Sequence, residues 1–525
     1  MRRKLLLLLV FVMFIPQVAE AGKFFPGETS TPGEWFLGDI PTEIDYSKAP
    51  LVFVHGLNSS AETWTDDNDM DEMVYENGYE SAYINLYPEE DMWDNGKLLK
   101  EKLEEIYDHF GRKVILVTHS KGGIDSQAAL VHEGADEYVE KVITLSTPHY
   151  GSQLADLAYS SWASWLTSII GSKSDALYSL QTSYMSYFRE QTDSDPDSQS
   201  TPIYTFGGKD WGSFGGYLFW GGLYLSSYGK NDGAVTVKSS RLPYSTEISV
   251  GNWDHSTIKT GSATFNLFES YLTSSNANQN SLTTSSTLSK QNTFNLVQNY
   301  NSSFTTNVSL DEEKTTANSI FRGGEYIGKQ KETFFVDETT TSINLDWMSA
   351  YEDTKITLIS PSKKVYKNVQ TSLDVDSVFK GAYHHKITVN KPEVGKWTVK
   401  AKQPNKKDGY FLQISFDSDL NDDLEIEKKK TTKNKVQMKQ QVKHIKKNSL
   451  STDVTIQYSE NGEKKEEKLS STNIKDLSDI PLQNKGEGIY HISMEIEGNT
   501  ERNNKFERSL LYTIYIDDKG KVHQK

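Results

Sequence analysis

The chain has 525 residues, a formal net charge of −16 and no cysteine. That length exceeds one ordinary core and predicts roughly two to four domains. Lack of cysteine excludes disulfides and thiolate chemistry. The acidic balance, concentrated in the front half, argues against a nucleic-acid partner, which needs a basic face.

Residues 1–21 read as a secretory signal peptide. Arg2, Arg3 and Lys4 open it, residues 5–15 are apolar, and Ala19-Glu20-Ala21 supplies a small-x-small cleavage site. No later segment is long and apolar enough to span a bilayer. The expected product is therefore secreted, extracellular or associated with the cell surface, with no transmembrane segment after cleavage.

Residues 22–275 alternate two periodicities. Strand-like runs fall at 51–54, 81–87, 114–117, 142–145, 203–206 and 247–250. Leu98, Leu99, Leu103, Ile106 and Phe110 recur at helical spacing, and 122–132 and 264–272 read as further helices. Such alternation predicts a mostly parallel sheet flanked by helices, the α/β class. Residues 276–317 are rich in Ser, Thr, Asn and Gln and read as a linker. Residues 318–420 and 421–525 carry short β-rich runs and predict two sandwich-like β modules. The second opens on a lysine-rich segment whose run, 428–447, reads as a solvated linker or an edge strand protected by charge. A chain cut at residue 275 is expected to fold alone.

The chemistry concentrates at "VTHSKGG", residues 117–123, where an apolar run ends on Ser120 and enters a small-residue helix. The nucleophile-elbow pattern G-x-S-x-G has Thr118 in place of its first glycine. A serine hydroxyl needs a histidine to take its proton, a carboxylate to orient that histidine and two N–H groups to hold the oxyanion. Asp232 in "GKNDGAV" and His255 in "NWDHS" follow in the order Ser, Asp, His. Gly56 in "VFVHGL" lets the chain turn so that the Leu57 N–H points into a pocket, and the Lys121 N–H is the second donor. Asp210 and Asp254 compete with Asp232 for the acid. His55, His119 and His149 read as packing or turn residues. Asp67, Asp69 and Asp71 alternate like a calcium loop, but Glu72 and Gly78 stand where Gly and Glu are required, so no metal is assigned.

On these motifs, together with "TPHYGS" at 147–152, residues 49–273 resemble a secreted bacterial lipase or esterase of the α/β-hydrolase superfamily. The resemblance implies catalytic Ser120, Asp232 and His255, oxyanion donors Leu57 and Lys121, and no cofactor. It covers under half the chain. Thr118 and Lys121 depart from the family pattern, and the Lys121 cation is expected to bear on the pocket mouth. Trp162, Trp165, Leu166, Ile169 and Ile170 follow helical spacing, and Trp220 lies in a second apolar stretch. These residues are expected to form a lid or acyl pocket.

The expected function is a secreted triacylglycerol lipase or esterase acting through an acyl-enzyme on a lipid or other ester. The C-terminal modules are expected to contact the cell envelope or an insoluble substrate. The alternatives are an extracellular polyester depolymerase and a surface-binding protein with an inert hydrolase domain.

Overall fold

Short runs with no polar interruption make the centre of one sheet. In the computed structural model, which describes residues 22–23, 31–273 and 314–524 apart from 214, 376, 461–465 and 476, β3 (Leu51–Val54), β4 (Ser81–Ile84) and β5 (Val114–His119) are buried at every position. Burial on both faces is what a parallel sheet covered by helices requires. The expected leader and residues 276–313 of the expected linker lie outside the described residues.

With β1 (Gly22–Lys23), β2 (Trp35–Leu37), β6 (Val139–Leu145), β7 (Ile203–Gly208) and β8 (Thr246–Gly251), the order is β1-β2-β4-β3-β5-β6-β7-β8. Only the β2–β4 pair is antiparallel. Nine α-helices are described in this half, among them α2 (Met92–Phe110), α3 (Gly122–His132) and α9 (Gly261–Phe268), which pack on the sheet. In α2, Asp91 caps the first turn by accepting from the Trp93 and Asp94 N–H groups. Gly111, at φ 64°, ends it. Leu99, Leu103 and Ile106 face one side of the sheet, while Phe265 and Phe268 of α9 face the other.

The C-terminal half is β-rich, as expected, and its described strand pairs are antiparallel. Strands Ser319–Val336 and Gly395–Ser418 pair along their length in one sheet, and Ser451–Ser459, Gly488–Asn499 and Lys505–Ile516 form the centre of another. One detail differs from the sequence reading, and one expectation holds. Lys314–Thr316, inside the expected linker, is a strand paired with Leu424–Lys428. Part of the lysine-rich run, Met438–Val442, is the edge strand of that same small sheet.

A larger difference concerns separateness. One apolar cluster joins Leu154, Tyr159, Trp162, Leu166, Tyr184, Trp220 and Tyr224 of the first half to Phe321, Phe379, Phe411, Ile489 and Tyr515 of the second. The helices involved are α4 (Gln153–Ala158), α5 (Ser164–Ile170), α7 (Thr182–Asp193) and α8 (Tyr217–Leu225), all between the strand ends that open the site. A cut at residue 275 would therefore leave that apolar face uncovered.

Candidate active site

β5 delivers Ser120 at its carboxyl end, where ligands bind in open α/β sheets. The turn into α3 is so tight that Ser120 sits at φ 53°, in the left-handed region that a non-glycine residue occupies only when its surroundings hold it there. Small neighbours make this possible. A Cβ on Gly122 would fall 2.3 Å from the His55 carbonyl oxygen, and one on Gly56 would fall 2.8 Å from the Ser120 Cβ. Thr118 fits despite its bulk, because its hydroxyl donates to the Ile143 carbonyl at 3.2 Å on the neighbouring strand.

The Ser120 hydroxyl donates to His255 Nε2 at 3.0 Å, and His255 Nδ1–H donates to Asp232 Oδ2 at 2.8 Å. Asp232 is fully buried, and its other oxygen accepts from the Ala234 and Val235 N–H groups at 3.0 and 2.7 Å. The Asp232 carbonyl accepts the His255 N–H at 2.9 Å, so acid and base are also joined through backbone. The competing carboxylates are used elsewhere. Asp210 caps its own loop at Trp211 and Gly212, and Asp254 accepts from Ser256 and Thr257.

Two histidines read from sequence as packing residues have further contacts here. His119 lies against His255, with ring centroids 4.7 Å apart, and its Nε2–H donates to the His255 carbonyl at 2.8 Å. Burial holds it well below the usual histidine range, so it is neutral. His55 is also neutral, pushed down to about 4 by burial. Its Nε2 accepts the Leu86 N–H at 2.9 Å, which leaves the proton on Nδ1 to be donated to the Gly56 carbonyl at 2.9 Å. His149 is fully buried behind the site.

The Lys121 cation does not reshape the pocket. Its side chain turns back into the protein and donates to both oxygens of Asp125, at 2.7 and 3.0 Å, while Asn95 donates to the same carboxylate at 3.1 Å. Burial raises Asp125 to about 6 against the pull of Lys121. The Lys121 backbone N–H remains at the first turn of α3, where the helix dipole favours negative charge.

The pocket over Ser120 measures about 50 Å³ and is lined by Leu57, His119, Pro148, Leu180, Val235 and Lys259 among others, with Ser377 and Val378 from the C-terminal half. None of the six residues expected to form a lid or acyl pocket is in that lining. Trp162 precedes α5 and meets Phe321 at 5.3 Å, and its Nε1–H donates to Glu495 at 2.9 Å. Leu166 and Trp220 are buried in the shared cluster, while Trp165 and Ile169 are partly exposed. The apolar faces of α5 and α8 have their partner in the C-terminal strands. The sequence carried no signal for Ser377 and Val378, which lie more than two hundred positions after Ser120.

Comparison with known proteins points the same way. The family described as "PGAP1-like alpha/beta domain" matches residues 45–161. No curated protein sequence matches the chain. Among solved structures, Bacillus licheniformis lipase BlEst2 in propeptide form is 37% identical, covers 94% of this chain and 100% of its own, and superposes with a TM-score of 0.78. The same lipase in mature form is 56% identical over 46% of this chain and all of its own, with a TM-score of 0.45. A metagenomic carboxyl esterase is 19% identical over 44% of this chain and 70% of its own, with a TM-score of 0.35.

Proposed function

The chain belongs to the lipase/esterase family of the α/β-hydrolase fold, and from that premise we propose that it is a secreted serine carboxylic-ester hydrolase whose C-terminal half keeps it latent. The observation that carries the catalytic reading is the hydrogen-bonded chain from Ser120 through His255 to Asp232. Ser120 attacks the ester carbonyl as His255 takes its proton. The Leu57 and Lys121 N–H groups hold the oxyanion. His255 then protonates the leaving alcohol, and water cleaves the acyl-enzyme with His255 as base. No step calls for a cofactor. Residues 1–21 serve as the export leader.

Latency is supported by the pocket itself. A space of about 50 Å³, shut on one side by Ser377 and Val378, is too small for a glyceride, whose class of ligand occupies roughly 300 Å³ or more. The similar Bacillus lipase was solved in a propeptide form that covers 94% of this chain, which suits a C-terminal half of the same kind. A cover seated in the mouth also fits poorly with a module standing apart to grip a polyester. Among the described residues no helix is long and apolar enough to cross a membrane.

The test uses the full chain and a short soluble ester such as p-nitrophenyl butyrate. Ser120→Ala and His255→Ala should each abolish turnover with the fold intact, and the double variant should be little worse than either, since the residues act as a unit. Retention of more than about a tenth of wild-type turnover by Ser120→Ala would remove the serine from the mechanism. Phe379→Ala, which empties the base of the covering loop, should raise turnover if the C-terminal half is a cover.

A further inference from the structure

Behind the covering loop lies a group of charges that hydrolysis does not use. The loop's described residues run from Asp374 to Ala382 apart from 376, and its base is closed by hydrogen bonds from the Asp374 N–H to the Ala382 carbonyl at 2.8 Å and from the Gly381 N–H to the Asp374 carbonyl at 2.9 Å. The Asp374 carboxylate accepts the Ser377 N–H at 2.9 Å and the Ser377 hydroxyl, so it sets the turn that puts Ser377 and Val378 over the catalytic serine. One more donor reaches it. His384 Nε2 is 3.4 Å from Asp374 Oδ2, while His384 Nδ1 is 2.7 Å from Asp346 Oδ2. His384 is wholly buried, with its ring stacked on Trp220 of α8 at 5.4 Å. Trp220 in turn meets Phe379 of the loop edge-on at 5.1 Å. Lys386, on the same strand as His384, donates to the Gly216 carbonyl at the start of α8 at 2.7 Å and to Ser372 at 3.1 Å.

We propose that His384, Asp346, Asp374 and Lys386 form a proton-operated latch that holds the loop 374–382 in the active-site mouth and loosens it as the pH rises. The inference rests on the reading of the C-terminal half as a cover. Its core is a count of donors. An imidazolium has two N–H groups and ties Asp346 to Asp374, whereas a neutral imidazole has one. The shorter contact, to Asp346, keeps that one. Deprotonation therefore turns Nε2 into a lone pair aimed at the Asp374 carboxylate, and the loop's anchor meets repulsion where it had a bond. With His384 protonated, the two carboxylates and two cations cancel. With it neutral, a net negative charge is buried, and the loop can relieve it by swinging Asp374 to water.

The other groups facing the cluster do not cancel this effect. His385, on the same strand, is held down by burial and is engaged with the Tyr351 carbonyl and Thr371. Asp353 acts on His385, and α8 presents Trp220. Burial lowers Lys386, which stays attached to α8. Burial works to lower His384 too, but Asp346 and then Asp374 outweigh it and hold it above the usual histidine range, while Asp346 is held below the usual carboxylate range by His384. A raised histidine contributes stability in full below its free value and loses it as pH climbs through the folded value. A lowered carboxylate contributes above its free value and loses it as pH falls through the folded one. Closure is thus tightest from mildly acidic to neutral pH and fails on the alkaline side.

The test compares full-length His384→Gln with the wild type on p-nitrophenyl butyrate across the mildly acidic to mildly alkaline range. Taking the ratio of the two rates at each pH cancels the titration of the triad, which both proteins share. The ratio should be about tenfold on the acidic side, the worth of one charge-assisted hydrogen bond, and fall toward one as the wild-type latch opens. Asp374→Asn, which keeps an acceptor for Ser377 and removes the charge, should follow the same course and decides the matter if His384→Gln fails to fold by circular dichroism. A ratio that stays constant with pH overturns the latch. The cover reading is tested separately by Phe379→Ala. If that variant is no faster than wild type at any pH, the cover reading fails. If it is faster while the ratios stay flat, only the latch fails.

Discussion

His55 offers the most discriminating perturbation, because its two ring nitrogens do different jobs that two amides can imitate one at a time. The Gly56 carbonyl and the Leu57 N–H belong to one planar trans peptide and point in opposite directions. By donating to that carbonyl at 2.9 Å, His55 Nδ1–H fixes the orientation of the peptide that carries the proposed oxyanion donor, the N–H of Leu57, a residue that lines the pocket. His55 Nε2 only accepts from the Leu86 N–H at 2.9 Å and ties β3 to the segment after β4. In His55→Asn the side-chain amide lies where Nδ1 was and keeps the donor. In His55→Gln the amide reaches where Nε2 was and keeps the acceptor. Deleting an oxyanion donor outright costs about 2.7–4 kcal/mol, and leaving its peptide free to rotate forfeits part of that, about 2 kcal/mol. His55→Gln should therefore lose roughly thirtyfold in kcat with KM nearly unchanged, at the usual 1.4 kcal/mol per factor of ten. His55→Asn should keep kcat within about threefold and instead lose thermal stability, because a buried Leu86 N–H left unpaired costs about 1–3 kcal/mol. The measurements are kcat and KM on a short soluble ester beside the thermal midpoint. If Gln is the active variant and Asn the dead one, or if both lose kcat equally, His55 does not hold the oxyanion turn.

Asp232→Asn should reduce kcat by up to about four orders of magnitude by leaving His255 in the wrong tautomer, while Asp210→Asn and Asp254→Asn, whose carboxylates cap loops, should cost far less; a reversed ranking in steady-state assays would reassign the acid. Acid should destabilise the chain. Burial pushes His55 down to about 4 and His491 down to about 3 and holds His119 and His149 well below the usual range, so these four contribute stability that is complete above the free histidine value and lost as pH falls toward the folded values. At about pH 5 His55 and His491 each cost about 2 kcal/mol, and His119 and His149 act in the same direction. Asp125 and Asp156, raised to about 6 by burial, act in the opposite sense by about 1 kcal/mol each, and His384 acts with them. The thermal midpoint should therefore drop on acidification from about pH 7 to about pH 5, and a flat or rising midpoint would contradict the buried-neutral assignment.

What the sequence revealed of this molecule follows the range of its interactions. The sheet was legible because β3 and the centres of β5 and β6, at 114–117 and 142–145, are short apolar or β-branched runs whose burial follows from pattern. The candidate triad was legible because a serine at a strand end, an acid turn and a loop histidine come in the order that this fold uses, and the three residues do meet. The direction of the Lys121 side chain was not legible. Asp125 lies one helical turn on, but the sequence could not show that both would be buried together with Asn95. Nor could it show what covers the site. The apolar faces around Trp162 and Trp220 were visible as faces, but a face states only that it will be covered, not by what. Here the cover is Phe321 and Phe411, from two strands, and Phe379, from a loop, all in a stretch that read as a separate module.

Trp162 separates the two meanings of that face. If it belongs to a lid that meets lipid, Trp162→Ser spares short soluble esters and depresses hydrolysis of emulsified long-chain glycerides, with the thermal midpoint nearly unmoved. If it is the seat of the cover, the sign reverses. The ring packs on Phe321, its Nε1–H is bonded to Glu495, and Gly323 lies so close that a Cβ there would come within 1.6 Å of the Trp162 carbonyl oxygen. Truncating such a buried tryptophan removes about 3–5 kcal/mol, and here that loss falls on contacts between the two halves. The closed state is then weakened relative to any state in which Ser377 and Val378 have left the mouth. The full-length variant should hydrolyse p-nitrophenyl butyrate faster than wild type, by about tenfold if even a third of that energy bears on closure, while its thermal midpoint falls. An unchanged soluble-ester rate together with a depressed rate on emulsified glyceride would restore the lid and leave the closed pocket to be explained by the loop alone.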